Sequence, residues 1–186
     1  MEETFRGEIF IMSHPAQHDY IRYVKNKFPE QFVNKQVLEV GSLNINGTVR
    51  DFFSNCYYIG IDVAEGKDVD VVCEGQNFKA PTESFDVTIS CECFEHNPHW
   101  VATFANMYRM VRPGGLIIMT CATTGRAEHG TTRTTPIDSP LTIGLGWDYY
   151  KNLEEKDFRE NFNIDSMFRN FEFLSQNSDL YFYGIK

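Results

Sequence analysis

From residue 36 to residue 121 the chain alternates short apolar runs with turn-forming residues and amphipathic stretches. "QVLEVG" (36–41), "CYYIGID" (56–62), "VDVVC" (69–73), "FDVTISC" (85–91) and "GLIIMTC" (115–121) are rich in β-branched and aromatic residues. Each is bounded by turn residues, which predicts five strands. Between them the pattern predicts a helix over residues 48–53 and a longer one over residues 98–111. In the second, Trp100, Phe104, Met107, Tyr108 and Val111 recur at helical spacing, Asn97-Pro98 supplies a start and Pro113-Gly114-Gly115 a stop. Upstream, Tyr20, Ile21, Val24 and Phe28 share one face of a helix over residues 15–28, with Pro15 in its first turn, so residues 1–35 read as a helical cap. Apolar strands separated by helices predict a parallel sheet wound in right-handed crossovers.

The tail changes character. A helical stretch over residues 154–168 precedes "FEFLSQNSDLYFYGIK", two strand-like runs joined at Asn177-Ser178-Asp179. Two strands joined that tightly pair antiparallel, so the sheet should end in a hairpin. Residues 121–150 form a long Thr-, Gly- and Pro-rich connection, of a length more often functional than decorative. No repeat or second domain is visible. The expected organisation is one domain over 1–186: a helical cap (1–35), a ligand-binding core (36–121), a substrate-side loop (122–150), and a C-terminal helix and hairpin (151–186).

Composition narrows the function classes. A hydrophobic content of 42% is that of a globular chain, and no apolar run reaches the about 20 residues that span a bilayer. The acidic "MEETFRGEIF" is unlike a secretory signal. Five cysteines, an odd number lying in or beside the strands, suit reduced thiols better than a disulfide framework. A cytoplasmic location is the expectation. Cys91-x-Cys93 has no second pair, so no metal is expected. A net charge of −9 disfavours nucleic acid and leaves a small molecule as the default partner.

Ligands of a doubly wound sheet bind at the carboxyl ends of its strands. Those ends present Glu39 and Gly41, then Asp62, Cys73-Glu74, Cys91-Glu92 and Thr120-Cys121. Asp62, about twenty residues after the first strand-end loop, suits a ribose; taken alone it is equally a turn or helix-capping residue. The first loop keeps only Gly41 and Gly47, with Ser42, Leu43, Asn44, Ile45 and Asn46 between. A pyrophosphate needs closely spaced glycines before a helix N-terminus and would sit badly beside Glu39. An ammonium suits Glu39. Asn44 and Asn46 tolerate the left-handed region, so at least one is expected at positive φ.

"VLEVGSLNING", "YYIGID", "SFDVTIS", "FEH" and "MVRPGGLIIMT", in this order and spacing, resemble the class I S-adenosylmethionine-dependent methyltransferases. The likeness is to the small, single-domain bacterial type acting on small molecules, and it covers roughly residues 35–125. It implies an α/β, Rossmann-like, doubly wound and mostly parallel seven-stranded sheet with a C-terminal antiparallel hairpin strand. It also implies S-adenosylmethionine as cofactor and S-adenosylhomocysteine as product. By position, Gly41, Ser42, Asn46 and Gly47 would wrap the methionine part and Glu39 its amino group. Asp62 would hold the ribose, Val63 pack on the adenine, and Glu74 with the Gly75 backbone meet the adenine amine. Ser90, Cys91 and Glu92 would line the floor near the sulfonium.

Methyl transfer by in-line displacement needs alignment of the acceptor, and a general base only if the acceptor holds its proton. His96 is the candidate base, or else Glu95-His96 braces the turn; Glu92 is likewise a pocket or a structural group. His129, Trp147, Tyr149 and Tyr150, with Arg126 and Arg133, would border substrate, or the aromatics pack the loop onto the sheet. His14 and His18 could reach the same cleft. Two other readings are a non-catalytic cofactor-binding partner subunit and an NAD-type oxidoreductase. The acceptor and the oligomeric state are not legible.

Overall fold

The computed structural model describes residues 15–186; His14 and the first part of the expected cap lie outside them. In chain order the elements are α1 (Pro15–Lys27), β1 (Gln36–Val40), β2 (Tyr57–Asp62), β3 (Val71–Val72), β4 (Phe85–Cys91), α2 (Trp100–Met110), β5 (Val111–Ala122), α3 (Pro140–Gly144), α4 (Glu155–Asn161), α5 (Ile164–Met167), β6 (Asn170–Gln176) and β7 (Asp179–Ile185). They build one seven-stranded sheet in the order β3-β2-β1-β4-β5-β7-β6. β1 to β5 run parallel, and β7 returns antiparallel to β5 with β6 antiparallel to β7. The chain thus has the Rossmann-like methyltransferase architecture with a reversed hairpin at one edge. Asn177 and Ser178, both at positive φ, make the two-residue turn whose twist matches the flanking strands.

Period-2 alternation in β5 and β7 explains why both faces are apolar. Ile117, Met119, Leu180 and Phe182 face α2 and the Phe158–Phe168 region. Leu116, Ile118, Tyr181 and Tyr183 face Tyr20, Ile21 and Val24 of α1. Order reverses between β1 and β4, which places the crevice beyond Val40 and Cys91.

Several expected elements differ. Residues 48–53 do not form an α-helix; only Arg50–Phe52 make a 3₁₀ turn. Six residues are too few to repay nucleation, and the aromatic pair is drawn apart: Phe53 stacks on Phe32 at 4.6 Å and Phe52 meets the His18 ring at 5.5 Å. The helix over 154–168 is broken into α4 and α5 because Phe162 turns extended (φ −138°) and sends its ring to within 5.0 Å of Phe104. β3 keeps two residues of the five expected. Helix α2 stops at Met110, and β5 already includes Arg112-Pro113, since proline disfavours a helical residue before it.

Candidate active site

The loop after β1 begins with a required glycine. Gly41 has φ +81°, and a Cβ there would lie 2.6 Å from the Cβ and Sγ of Cys93. The expectation for the asparagines fails: neither Asn44 nor Asn46 has positive φ, and the unusual backbone is taken by Gly41 and Gly47. Asn44 shapes the loop through its side chain instead. Its Oδ1 accepts from Gly47 N–H at 2.9 Å and its Nδ2 donates to Asp68 at 2.6 Å.

Glu39 stands one residue before the end of β1, buried, and accepts a hydrogen bond from Tyr58 Oη at 2.9 Å. Burial raises its carboxyl to about 7, against the lowering effects of Tyr58 and Arg50. Asp62 closes β2; its two oxygens accept from Leu43 N–H (3.0 Å) and Val63 N–H (2.7 Å). Burial lifts its pKa above the ordinary value while those bonds pull it back.

These groups open into one cleft, which also takes in Ser42, Asn46 and Gly47 from the loop and Cys91, Glu92 and His96 from the end of β4. Its remaining wall is Gln17 of α1 and the segment from Asp138 to Thr142. A smaller cavity shares Gly41, Asp62, Cys93 and Thr142 with the cleft and adds Val63, Cys73, Gly75 and Trp147. Among the described residues, four carboxyl groups (Glu39, Asp62, Glu92 and Asp138) line the two spaces, and no Lys or Arg does.

Beyond β4 the backbone turns sharply. Glu92 has φ +49°, a strained value for a non-glycine residue. Its carboxylate accepts from Thr120 Oγ1 at 2.7 Å. Burial, with Asp179 nearby, raises its pKa to about 7. The following 3₁₀ turn, Phe94–His96, buries Glu95 and His96. Glu95 is pushed well above the carboxylate range by burial and by Glu92. His96 is pushed down to about 3 by burial and by His129. The Tyr149 backbone pulls the other way as a loose partner of the ring, and neither ring nitrogen of His96 makes a hydrogen bond of ordinary geometry. A ring held neutral offers a lone pair at pH 7 and is a weak proton acceptor.

The cleft therefore gathers Glu39, Gly41, Ser42, Asn46, Gly47, Asp62, Cys91, Glu92 and His96, and its neighbour gathers Val63 and Gly75. Several expected positions are elsewhere. Ser90 is fully buried and donates to the Val40 carbonyl at 2.7 Å, tying β4 to β1 and lining neither space. Glu74 turns onto Gln76 and Asn77, which donate to it at 2.7 Å each. Trp147, expected beside substrate, lines the small cavity with Val63 and Gly75 and meets the His99 ring edge-on at 5.3 Å. Of the other substrate candidates, His129 and Tyr150 line neither space and pack on the His96 ring at 5.0 and 5.6 Å, while Tyr149 contributes its backbone there. The residues missed were Gln17, Cys93 and the segment 138–142. Gln17 left a signal, a polar residue in register with Ile21 and Val24 on the apolar face of α1; the segment left none.

Comparison with known proteins points the same way. Residues 39–119 match the family model described as a methyltransferase domain. No curated protein matches the chain. Among solved structures, phosphoethanolamine N-methyltransferase 2 of Haemonchus contortus, in complex with phosphomonomethylethanolamine and S-adenosylhomocysteine, is similar at 14% identity and a TM-score of 0.63. That match covers 97% of this chain but 54% of the other, so the chain spans about half the length of that enzyme. The 1,6-didemethyltoxoflavin-N1-methyltransferase of Burkholderia thailandensis, bound to 1,6-didemethyltoxoflavin and S-adenosylhomocysteine, is similar at 15% identity and a TM-score of 0.59, over 95% of this chain and 85% of that one. At such identities the likeness establishes the fold. Residues 39–119 are thus similar to a methyltransferase domain, and the sheet order with its reversed hairpin is the Rossmann-like methyltransferase fold.

Proposed function

We propose that the chain binds S-adenosylmethionine in the acidic cleft and transfers its methyl group to a small, neutral or cationic acceptor. The observation that carries this reading is the charge of the lining: among the described residues, four carboxyl groups and no Lys or Arg. Such a surface repels a pyrophosphate or a phosphorylated acceptor and attracts a ligand bearing an ammonium and a sulfonium. That disfavours an NAD-type oxidoreductase.

Bound there, the cofactor supplies a methyl group on sulfonium sulfur, activated for in-line displacement. Glu39 faces the amino group, and the Gly41–Gly47 loop wraps the methionine part. Asp62, common to both spaces, takes the ribose hydroxyls, leaving the small cavity between Val63, Gly75 and Trp147 for the adenine. Glu92 and His96 share the cleft and border the place left for the acceptor. The segment 138–142 covers the opening and excludes water, so the chain's work is alignment. Among the described residues no helix is long and apolar enough to cross a membrane.

Isothermal calorimetry with S-adenosylmethionine and S-adenosylhomocysteine tests this directly: both should bind, and absence of heat from either at millimolar concentration would sink the reading. The pH dependence should carry the mark of Glu39. Its carboxyl is protonated below its raised pKa of about 7, while a ligand ammonium needs the anion. Affinity should therefore fall as pH drops below that value, approaching tenfold per pH unit (about 1.4 kcal/mol), and flatten above it while the ligand's α-amino group stays charged to about pH 7.7. The groups facing Glu39 are Tyr58, Arg50, Asp62, Asp68 and Cys91. Glu39→Gln should flatten the profile; a variant with an unchanged slope would assign it to another group.

A further inference from the structure

Beside the cleft lies a buried polar cluster that donor binding does not use. Glu95 and His96 come from the turn after β4. His129 comes from the connection 122–150, swung in by Gly130, whose left-handed backbone (φ +62°) sits so near the His96 ring that a Cβ there would lie 2.6 Å from its Cε1. One potential ligand atom from each of Glu95, His96 and His129 falls within 4.8 Å of the other two.

Each side chain is held in the way a metal ligand is held. Glu95 is fully buried; one oxygen accepts from Ala122 N–H at 3.1 Å, and the other makes no hydrogen bond of ordinary geometry, with the Glu92 carboxyl as its neighbour. His96 is 2% exposed, and beyond the loose contact with the Tyr149 backbone its ring nitrogens make no hydrogen bond of ordinary geometry. His129 Nδ1 lies 3.1 Å from the Ala127 carbonyl, which assigns the proton to Nδ1 and leaves the Nε2 lone pair free. Buried polar groups without partners are costly and call for an explanation.

We propose that Glu95, His96 and His129 form a site for a divalent first-row transition-metal ion, with Zn²⁺ the ion that their two imidazoles and one carboxylate fit best. At the tetrahedral angle, bonds of about 2.0–2.2 Å put two ligands of one ion about 3.3–3.6 Å apart, so the three atoms, within 4.8 Å of one another, close by up to roughly 1.5 Å around an ion. Neutral imidazoles disfavour Mg²⁺, which prefers oxygen ligands. Three protein ligands leave a coordination position open, and His96 also lines the cleft. An ion there could polarise an acceptor's lone-pair atom. That use rests on the methyl-transfer reading; the metal site does not.

The test uses the full chain, stripped with a chelator and titrated by calorimetry with Zn²⁺ and by visible absorption with Co²⁺. One ion per chain should bind, with Co²⁺ ligand-field bands in the visible and no thiolate band in the near-ultraviolet. His129→Ala removes a partly exposed ring and should weaken Zn²⁺ at least about a hundredfold, the upper end of what outer-shell changes cost. Glu95→Gln, nearly isosteric, should do the same. Thermal melting and S-adenosylhomocysteine calorimetry on both variants report folding and cofactor binding separately. Loss of Zn²⁺ with cofactor binding intact establishes the site. Zn²⁺ binding equally tight to the parent chain and to His129→Ala, no binding by the parent, or a thiolate band placing the ion on Cys91 or Cys93 overturns it.

Discussion

Phe104→Ala is expected to destabilise the folded chain by about 3–5 kcal/mol, the cost of deleting a fully buried aromatic ring whose cavity cannot collapse. Phe104 lies midway along α2, completely buried. Its ring centroid is 5.0 Å from Phe162, 5.3 Å from Phe158, 5.8 Å from Phe182 and 6.3 Å from both Phe94 and Phe168. These rings belong to the turn after β4, to α4 and the bend after it, to the end of α5, and to β7. One side chain therefore joins the parallel half of the sheet to the antiparallel hairpin through the broken C-terminal helices. The surrounding rings are themselves packed on one another, Phe168 against Phe182 at 5.2 Å among them, so they have little freedom to fill the void. A fall in the denaturant midpoint with unchanged slope would show it; a loss below about 1 kcal/mol would mean the ring is not the hub the packing describes.

That hub was legible from the sequence only in part. The stripe Trp100, Phe104, Met107 announced a buried face on α2, and five central strands and the hairpin could be read because strands covered on both faces are apolar almost throughout. The pieces that could not be read are those where tertiary packing overrides local preference. Residues 48–53 look helical, but Phe52 and Phe53 have separate partners across the α1 face. Residues 154–168 look continuous, but the core takes Phe162 inward and breaks the helix. Asn44 looked like a substitute glycine and acts as a hydrogen-bonding brace.

The site divides along the same line. Glu39, Gly41 and Asp62 could be read because strand ends in a doubly wound sheet are adjacent in space, whatever the loops do. Ser90, at the end of the same strand as Cys91, points to the opposite face, as period-2 geometry dictates, and ties two strands together. Gln17, the segment 138–142 and the pairing of His129 with His96 depend on the path of a connection some thirty residues long, which no local pattern encodes. Gly130 is the residue that sets this path at the histidines, and in the sequence it is one glycine among several in a loop.

Asp62→Ala should weaken S-adenosylhomocysteine binding by about 1.5–3 kcal/mol, on the order of tenfold to a hundredfold, because it removes charge-assisted hydrogen bonds to the ribose hydroxyls. The carboxylate accepts Leu43 N–H on one oxygen and Val63 N–H on the other. A carboxylate has roughly four lone-pair sites, so each oxygen keeps capacity for a hydroxyl. Those backbone bonds hold the acceptor aligned before a ligand arrives, which spares ordering cost on binding. They also mean that the variant frees two N–H groups and loosens the loop, so a simple affinity loss would not isolate the ribose. A double cycle does. Against a 2′-deoxy analogue the same substitution should cost markedly less, by about 0.5–3 kcal/mol of coupling, while a purely structural Asp62 would weaken both ligands equally. Equal losses would remove Asp62 from the ribose and leave it as the brace between β2 and the Gly41–Gly47 loop.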